Sequence, residues 1–176
     1  MKRTLLFLLL LTFLFIAFMS QIYRVWPKAE PPEYVISALN ALAIKALEMR
    51  EVPIGAVLVY GDSIIGKGYN TVVRDTLVSG HAEINALNMA HKNHRASWKS
   101  FDRSKMILYS TYEPCEMCKG AMINLNIEYA VFEGPKPVWD RLKTTLKSWY
   151  YEFKKRRLNA PEMQQNLFRQ HPDYQE

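Results

Sequence analysis

The spacing of apolar residues along the chain predicts helices that alternate with strands. Between Glu33 and Glu51 apolar positions recur at helical intervals, and we expect Tyr34, Leu39 and Leu47 in the core. The apolar runs 54–60 and 64–69 flank a Gly-Asp turn signal, which predicts a β-hairpin. Further patterns predict a helix over 82–91, a strand over 106–110, a helix over 115–125, a strand over 129–132 and a helix over 138–157. This order indicates an α/β fold, with helices on the faces of a central sheet.

The first thirty residues have a different pattern from the rest of the chain. Lys2 and Arg3 precede the almost uniformly apolar run Leu5–Phe18, an order typical of secretion and membrane-insertion signals. Extended to Trp26, the segment is long enough to cross a bilayer, so we interpret residues 1–26 as an uncleaved signal anchor or transmembrane segment, membrane contact running through residues 5–26. A cleaved signal peptide and a buried core helix are the alternatives.

The charges around this segment predict its orientation. Lys2 and Arg3 place the N-terminus in the cytoplasm by the positive-inside rule, although Arg24 and Lys28 oppose it with an equal count. We therefore expect a single-pass membrane-anchored protein whose globular domain lies on the non-cytoplasmic side. A secreted form, or a cytoplasmic form translated from Met19, is the alternative. The proline-rich residues 27–32 predict a stiff linker, which leaves 33–176 as one domain.

Composition and charge narrow the range of protein classes. The chain has 176 residues, of which 49% are hydrophobic and 23% charged, which suits one globular domain and excludes a disordered or collagen-like chain. Its formal net charge of +6 permits binding to nucleic acid, anionic lipid or phosphorylated ligands without selecting among them. The only two cysteines, Cys115 and Cys118, exclude a disulfide-stapled fold and suggest metal or redox chemistry.

Two short segments, G-H-A-E at 80–83 and P-C-E-M-C at 114–118, carry the candidate chemistry. Cys115 and Cys118 stand three residues apart at the start of a predicted helix, so both sulfurs can reach one metal as thiolates. His81 would add a third ligand, and three protein ligands are the number found in catalytic zinc sites, where water takes the fourth position. Zinc makes hydroxide available at neutral pH, and Glu83 is close enough in sequence to move the proton.

These segments together resemble the cytidine/deoxycytidylate deaminase superfamily. The resemblance extends over about Glu33–Phe132 and is strongest to bacterial tRNA adenosine deaminases, then to guanine and cytosine deaminases. It is carried by E-V-P-I-G-A-V-L-V at 51–59, G-Y-N at 68–70, H-A-E-I-N-A-L at 81–87 and E-P-C-E-M-C-K-G-A-M-I at 113–123. It implies a three-layer α/β/α sandwich around a mixed five-stranded sheet, here preceded by the N-terminal hydrophobic helix. Four of the five strands are found in the apolar pattern.

The resemblance also implies roles for individual residues. It implies His81, Cys115 and Cys118 as zinc ligands and Glu83 as the proton shuttle of a hydrolytic deaminase that releases ammonia. Four substrate-binding positions follow from the same resemblance: Asn70 for the base, the backbone of Ala82, and Pro53 and Tyr112 as pocket walls. A homodimer is expected by analogy with the same families.

Other interpretations of the cysteines are kept open. Cys115 and Cys118 suit a thiol–disulfide pair, which would leave His81 and Glu83 without a role. A structural zinc site would need a fourth ligand such as His91 or His94. The corresponding non-enzymatic hypothesis is a zinc-stabilised module that binds RNA or a membrane.

Different features of the sequence predict different substrates. Between Lys136 and Arg157 lie eight basic and two acidic residues interleaved with aromatic ones, a pattern suited to single-stranded nucleic acid, to an ordinary surface helix or to anionic lipid. Arg74–Gly80 departs from the aspartate-proline-threonine run of the tRNA enzymes, and Glu133–Pro137 departs from the acidic residue they carry near the ribose. We therefore expect a free nucleobase or nucleoside, with a tRNA-specific adenosine deaminase that makes inosine at the wobble position as the alternative.

Overall fold

The computed structural model describes residues 2–22, 29–155 and 168–170. The chain divides into two compact units. One contains α2 to β4, and the other contains α1 and α5. The helices and strands are, in chain order, α1 (Lys2–Ile22), α2 (Glu33–Glu48), β1 (Gly55–Tyr60), β2 (Ser63–Tyr69), α3 (Ala82–Asn93), β3 (Met106–Tyr112), α4 (Glu116–Asn124), β4 (Tyr129–Gly134) and α5 (Val138–Lys154). The elements predicted from the apolar pattern are therefore confirmed, with bounds that shift by a few residues.

The four strands form one mixed sheet in the order β2-β1-β3-β4. β1 pairs antiparallel with β2 and β3, whereas β3 pairs parallel with β4. The predicted hairpin is confirmed, and a register shift between Leu58 and Val59 interrupts its pairing. The fifth strand that the resemblance implies is not found among the described residues.

Alternation along β1 explains why helices cover both faces of the sheet. Ala56 and Leu58 point into a core cluster with α3, whereas Val57 and Val59 point into a second cluster with α2. All four side chains are buried, and burying a valine or leucine contributes about 1.5–3 kcal/mol. A strand that is apolar on both faces needs a layer on each side, so α2, the sheet and α3 form the predicted α/β/α arrangement.

One prediction for α2 needs correction. Leu39 is buried as expected, but Leu47 is 61% exposed and Tyr34 is 42% exposed. The buried residues of α2 are Val35, Leu39 and Ala46, a narrow stripe that faces β1 and β3. Leu47 and Tyr34 were predicted in the core because they are apolar, yet they lie beside this stripe rather than on it.

The N-terminal segment does not support the predicted location of the protein. Residues Lys2–Ile22 form α1. Within the part of the chain that the structure describes, no helix has both the length and the apolar character needed to cross a bilayer. The predicted single-pass anchor, with the domain on the non-cytoplasmic side of a membrane, is therefore wrong. Trp26 and much of the predicted linker 27–32 lie outside the described residues.

Helix α5 ends at Lys154, before the predicted end at 157. Residues 156 and 157 lie outside the described ranges. The aromatic side chains of α5 are more than half exposed: Trp139, Trp149, Tyr150, Tyr151 and Phe153. Two lysines lie over tyrosine rings of this helix. Lys154 Nζ is 5.0 Å from the centre of the Tyr150 ring, and Lys155 Nζ is 5.8 Å from the centre of the Tyr151 ring. Aromatic and basic groups are thus interleaved on one helix, and its aromatic side chains are exposed.

Candidate metal centre and active site

The candidate metal centre lies where the N-termini of α3 and α4 meet. His81 immediately precedes α3 and Cys115 immediately precedes α4, both with the extended backbone of an N-cap residue. Neither side chain caps its own helix, although Ser, Thr, Asp or Asn at these positions would contribute about 1 kcal/mol. Residue types that can bind a metal therefore occupy both cap positions, at some cost in helix stability.

Three ligand atoms form a compact triangle. Cys115 Sγ lies 3.5 Å from His81 Nδ1 and 3.4 Å from Cys118 Sγ. Cys118 Sγ lies 3.7 Å from His81 Nδ1. The usual Zn–S and Zn–N bonds of a tetrahedral site require about 3.5–3.8 Å between ligand atoms. One imidazole nitrogen and two sulfurs at this spacing fit zinc, and a tetrahedral ion would keep its fourth position for water.

The geometry does not favour the other interpretations of the cysteines. The sulfur atoms are too far apart for a disulfide bond of about 2.05 Å, and both cysteines are free. His91 and His94 stack against Trp98 and Phe101 instead of joining the cluster. Among the described residues, the candidate metal-binding group thus has three ligands, and neither His91 nor His94 joins it as a fourth.

Without a bound metal, one proton is shared unequally between the two cysteine sulfurs, because the pKa values of the two thiols differ. A hydrogen bond with Cys118 lowers the pKa of the Cys115 thiol to about 5. The same hydrogen bond, together with burial, raises the pKa of Cys118. Zinc binds thiolates, so its binding would release this shared proton.

Glu83 lies in the first turn of α3, two residues after His81. Its side chain is only 3% exposed. Burial raises the pKa of its carboxyl group, and the charge of Cys115 acts in the same direction. A carboxyl group withdrawn from water, on the same turn as a candidate metal ligand, is suited to receive and return a proton.

The predicted substrate-binding residues fall into two groups. Asn70 and Ala82 are both buried at the two ends of the loop that joins β2 to α3. The backbone N–H of Thr71 donates to the Gly80 carbonyl at 2.7 Å, which draws these ends together beside His81.

The other two predicted residues, Pro53 and Tyr112, line a single surface cavity. Val52, Ile54, Thr111 and Glu133 complete much of its wall. Among the described residues, the lining of this cavity includes Pro53 and Tyr112 but none of the candidate metal ligands, nor Asn70 or Ala82.

Several polar residues that support the site have no distinct signal in the sequence. Asn85 donates from Nδ2 to the Tyr69 carbonyl at 2.9 Å and to Thr71 Oγ1 at 3.0 Å, which ties α3 to the end of β2. Buried Glu113 accepts from the Lys136 backbone N–H at 2.9 Å. Buried Glu51 accepts two hydrogen bonds from the β2–α3 loop. All three pairings join residues that are distant in sequence, so only their presence inside recognisable motifs could have drawn attention to them.

Comparison with known proteins identifies the family. Residues 29–133, which include α2 to β4 apart from the last residue of β4, match the cytidine and deoxycytidylate deaminase zinc-binding region. The chain belongs to this family. The deaminase is therefore a zinc-dependent hydrolase that acts on C–N bonds, and its cofactor is zinc.

The relatives of this deaminase include enzymes that act on tRNA. A tRNA-specific adenosine deaminase from Buchnera aphidicola subsp. Schizaphis graminum is 40% identical over 105 residues, which are 60% of this chain and 67% of that protein. The matched region spans about half to two thirds of the bacterial relatives.

Solved structures give a similar result. A tRNA:A34 deaminase described in a study of A-to-I editing at the wobble position is 31% identical, with a TM-score of 0.52 over 59% of this chain and 77% of its own. Guanine deaminase from Bacillus subtilis, at 22% identity, has a TM-score of 0.63 over 84% of this chain and 99% of its own. The second likeness establishes the fold alone.

Proposed function

We propose that this deaminase converts adenosine to inosine in tRNA, at the wobble position. The observation that carries the proposal is the 40% identity over 105 residues to a tRNA-specific adenosine deaminase. This favours the tRNA alternative over the free nucleobase or nucleoside that the sequence alone led us to expect. A homodimer belongs to the proposal by family analogy, and light scattering tests it.

His81, Cys115 and Cys118 would hold the zinc ion in this proposal. Their spacing of 3.4–3.7 Å supports the assignment. Bound zinc supplies a water molecule that is reactive at neutral pH. The overall reaction consumes that water and releases ammonia, so one proton of the water must move to a ring nitrogen of the base and the other to the leaving amine.

Glu83 would carry both protons. Its carboxylate would accept one proton from the water and deliver it to a ring nitrogen of the base, then accept the second from the same oxygen, now bonded to the ring carbon, and deliver it to the departing amine. Its burial on the first turn of α3, two residues from His81, supports the role. The buried amide of Asn70 and the backbone of Ala82 would hold the base in register with this carboxyl group.

The exposed aromatic and basic residues of α5 support a nucleic-acid substrate. Aromatic faces stack on unpaired bases, and lysines neutralise phosphates. Trp149, Tyr150 and Lys154 lie on one accessible helix and provide both kinds of group. A free base would need neither.

Deamination of a free base or nucleoside is the second candidate. The sequence of Arg74–Gly80 favours it, since this loop departs from the aspartate-proline-threonine run of the tRNA enzymes. The guanine deaminase likeness adds nothing to this choice, because it concerns the fold.

Parallel assays separate these candidates. The full-length zinc protein would be offered an anticodon hairpin with a wobble adenosine, adenosine, cytidine, cytosine and guanine, and ammonia release would be measured. We expect turnover of the hairpin only. Turnover of guanine or another small substrate with an inert hairpin would refute the tRNA proposal.

A further inference from the structure

The end of α2 places a carboxylate where an apolar side chain is usual. Arg50 adopts a left-handed conformation with φ of 59°, its N–H bonds to the Leu47 carbonyl, and the Glu51 N–H bonds to the Ala46 carbonyl. This is the Schellman arrangement, in which the residue in the position of Glu51 commonly makes a hydrophobic contact with the last turn.

Helix α4 ends in the same way and has the usual contact. Asn126 is left-handed with φ of 56°, and the Ile127 N–H bonds to the Met122 carbonyl. Both Ile127 and Met122 are buried in the same core cluster. The corresponding residue after α2 is Glu51, which is just 5% exposed. Helix termination therefore explains the backbone of Glu51 but not its buried charge.

The carboxylate of Glu51 is bound by two groups of the β2–α3 loop. Asn70 Nδ2 donates to Oε2 at 3.0 Å, and the Arg74 backbone N–H donates to Oε1 at 2.6 Å. Hydrogen bonds to an ionised acceptor are stronger than those between neutral groups. Both oxygens of Glu51 are thus used to hold the segment that leads from β2 towards His81.

This contact fixes which way the Asn70 amide faces. An ionised carboxylate can only accept hydrogen bonds, so it pairs with the amide nitrogen of Asn70 and rejects the amide oxygen. The Asn70 carbonyl oxygen and second N–H are then left in fixed positions. A base that is read by its hydrogen-bonding edge requires such a fixed pattern of donor and acceptor.

We propose that Glu51 is a positioning residue, which sets the orientation of the Asn70 amide for recognition of the substrate base. The proposal rests on the proposed function, because it takes Asn70 as a substrate contact. Glu51 does not touch the reacting atoms in this account. It acts through the Asn70 amide, and its bond to the Arg74 N–H holds the carboxylate itself in place.

A double-mutant cycle tests the proposal. Glu51→Gln keeps the shape of the side chain but introduces an amide that can turn the Asn70 amide over. We expect kcat/KM for the hairpin to fall about tenfold to a hundredfold, as expected for one charged hydrogen bond. Asn70→Ala should lower it similarly, and adding Glu51→Gln to Asn70→Ala should cause no further loss. Additive losses would overturn the proposal.

Control variants separate positioning from stability. Glu48→Gln changes an exposed glutamate at the end of the same helix and should leave kcat/KM unchanged. Zinc content should equal that of the wild type in every variant. If Glu51→Gln does not fold, Glu51→Asp replaces it, because aspartate keeps the charge but is too short to hold both partners at once. Its kcat/KM should lie between those of the wild type and Asn70→Ala. Wild-type kcat/KM in Glu51→Asp would overturn the proposal.

A readout without turnover distinguishes this proposal from the proposed function. If the hairpin is inert, the tRNA function fails, and the cycle is run on any small substrate that reacts. Independently, the side-chain amide of Asn70 is followed by ¹⁵N NMR. Glu51→Gln should shift both of its proton signals, whereas Glu48→Gln should leave them in place. Unshifted signals in Glu51→Gln would overturn the positioning role whatever the substrate is.

Discussion

Gly68 in β2 lies directly against Ala82, the first residue of α3. A β-carbon built on Gly68 would stand 2.1 Å from the Ala82 carbonyl oxygen and 2.4 Å from the Ala86 nitrogen. Both atoms belong to the helix backbone, which cannot move aside as a flexible side chain can. The close approach of helix and strand therefore depends on glycine, and the same helix carries His81 at its start and Glu83 in its first turn.

Gly68→Ala should displace α3 and damage the metal centre. We expect a loss of about 1–3 kcal/mol in the free energy of unfolding, as for other overpacked interiors, together with reduced zinc content. Denaturant unfolding and metal analysis measure the two effects.

Gly120→Ala is the matched control for this prediction. Gly120 lies within α4, and a β-carbon there would meet no atom within 4 Å beyond its chain neighbours and the backbone of its own helix. Alanine should therefore stabilise the protein by about 0.5–1 kcal/mol through its higher helix propensity. If both variants behaved alike, the close packing at Gly68 would not be what positions α3.

The fold was largely predictable because its signals are local. The uninterrupted apolar run of β1 and the helical spacing of Val35 and Leu39 are determined within single elements. The candidate ligand set was recognisable because His81 and the two cysteines lie in short motifs at helix starts.

What escaped prediction depends on contacts between distant segments. Glu51 and Asn70 are nineteen residues apart, and nothing within either segment indicates that they pair. Leu47 is apolar yet exposed, because the sheet contacts a narrower stripe of α2 than the sequence pattern includes. The N-terminal apolar run was misleading in another way, since composition alone suggested a membrane span that is not found in the described residues.

Glu83→Gln should produce a folded, metal-loaded and inactive enzyme. Glutamine preserves the shape of this buried side chain but cannot take up and return a proton. We expect kcat to fall by at least about 10²–10⁴-fold, the usual contribution of a positioned acid–base group. Zinc content and melting temperature should stay close to those of the wild type. Turnover at the wild-type rate would exclude Glu83 as the proton carrier.

Removal of zinc should lower stability as well as activity. Zinc would link the starts of α3 and α4, so it binds the native state in preference to the unfolded chain. At a free zinc concentration a thousand times its Kd, the native state gains about 4 kcal/mol. We therefore expect chelation to lower the melting temperature and zinc addition to restore it.

Two histidine variants test which residues bind that zinc. His81→Ala should abolish the zinc-dependent rise in melting temperature, because it removes one of three ligands. His91→Ala should retain the rise, since His91 stacks on Trp98 away from the cluster. A full zinc response in His81→Ala would contradict the ligand assignment.

Neutralising α5 should weaken binding of RNA without changing the chemistry. Lys143 and Lys147 are exposed on this helix, so Lys143→Gln and Lys147→Gln remove charge without disturbing a buried contact. If they contact phosphates, each change should raise KM for the hairpin and reduce the slope of log K against log salt by about 0.7. Because neither lysine would touch the reacting base, kcat should be unchanged. Lys99→Gln, at an exposed lysine outside α5, is the control and should leave the slope unaltered. An identical salt slope in all three variants would remove α5 from the RNA-binding surface and leave the relatives as the sole support for a tRNA substrate.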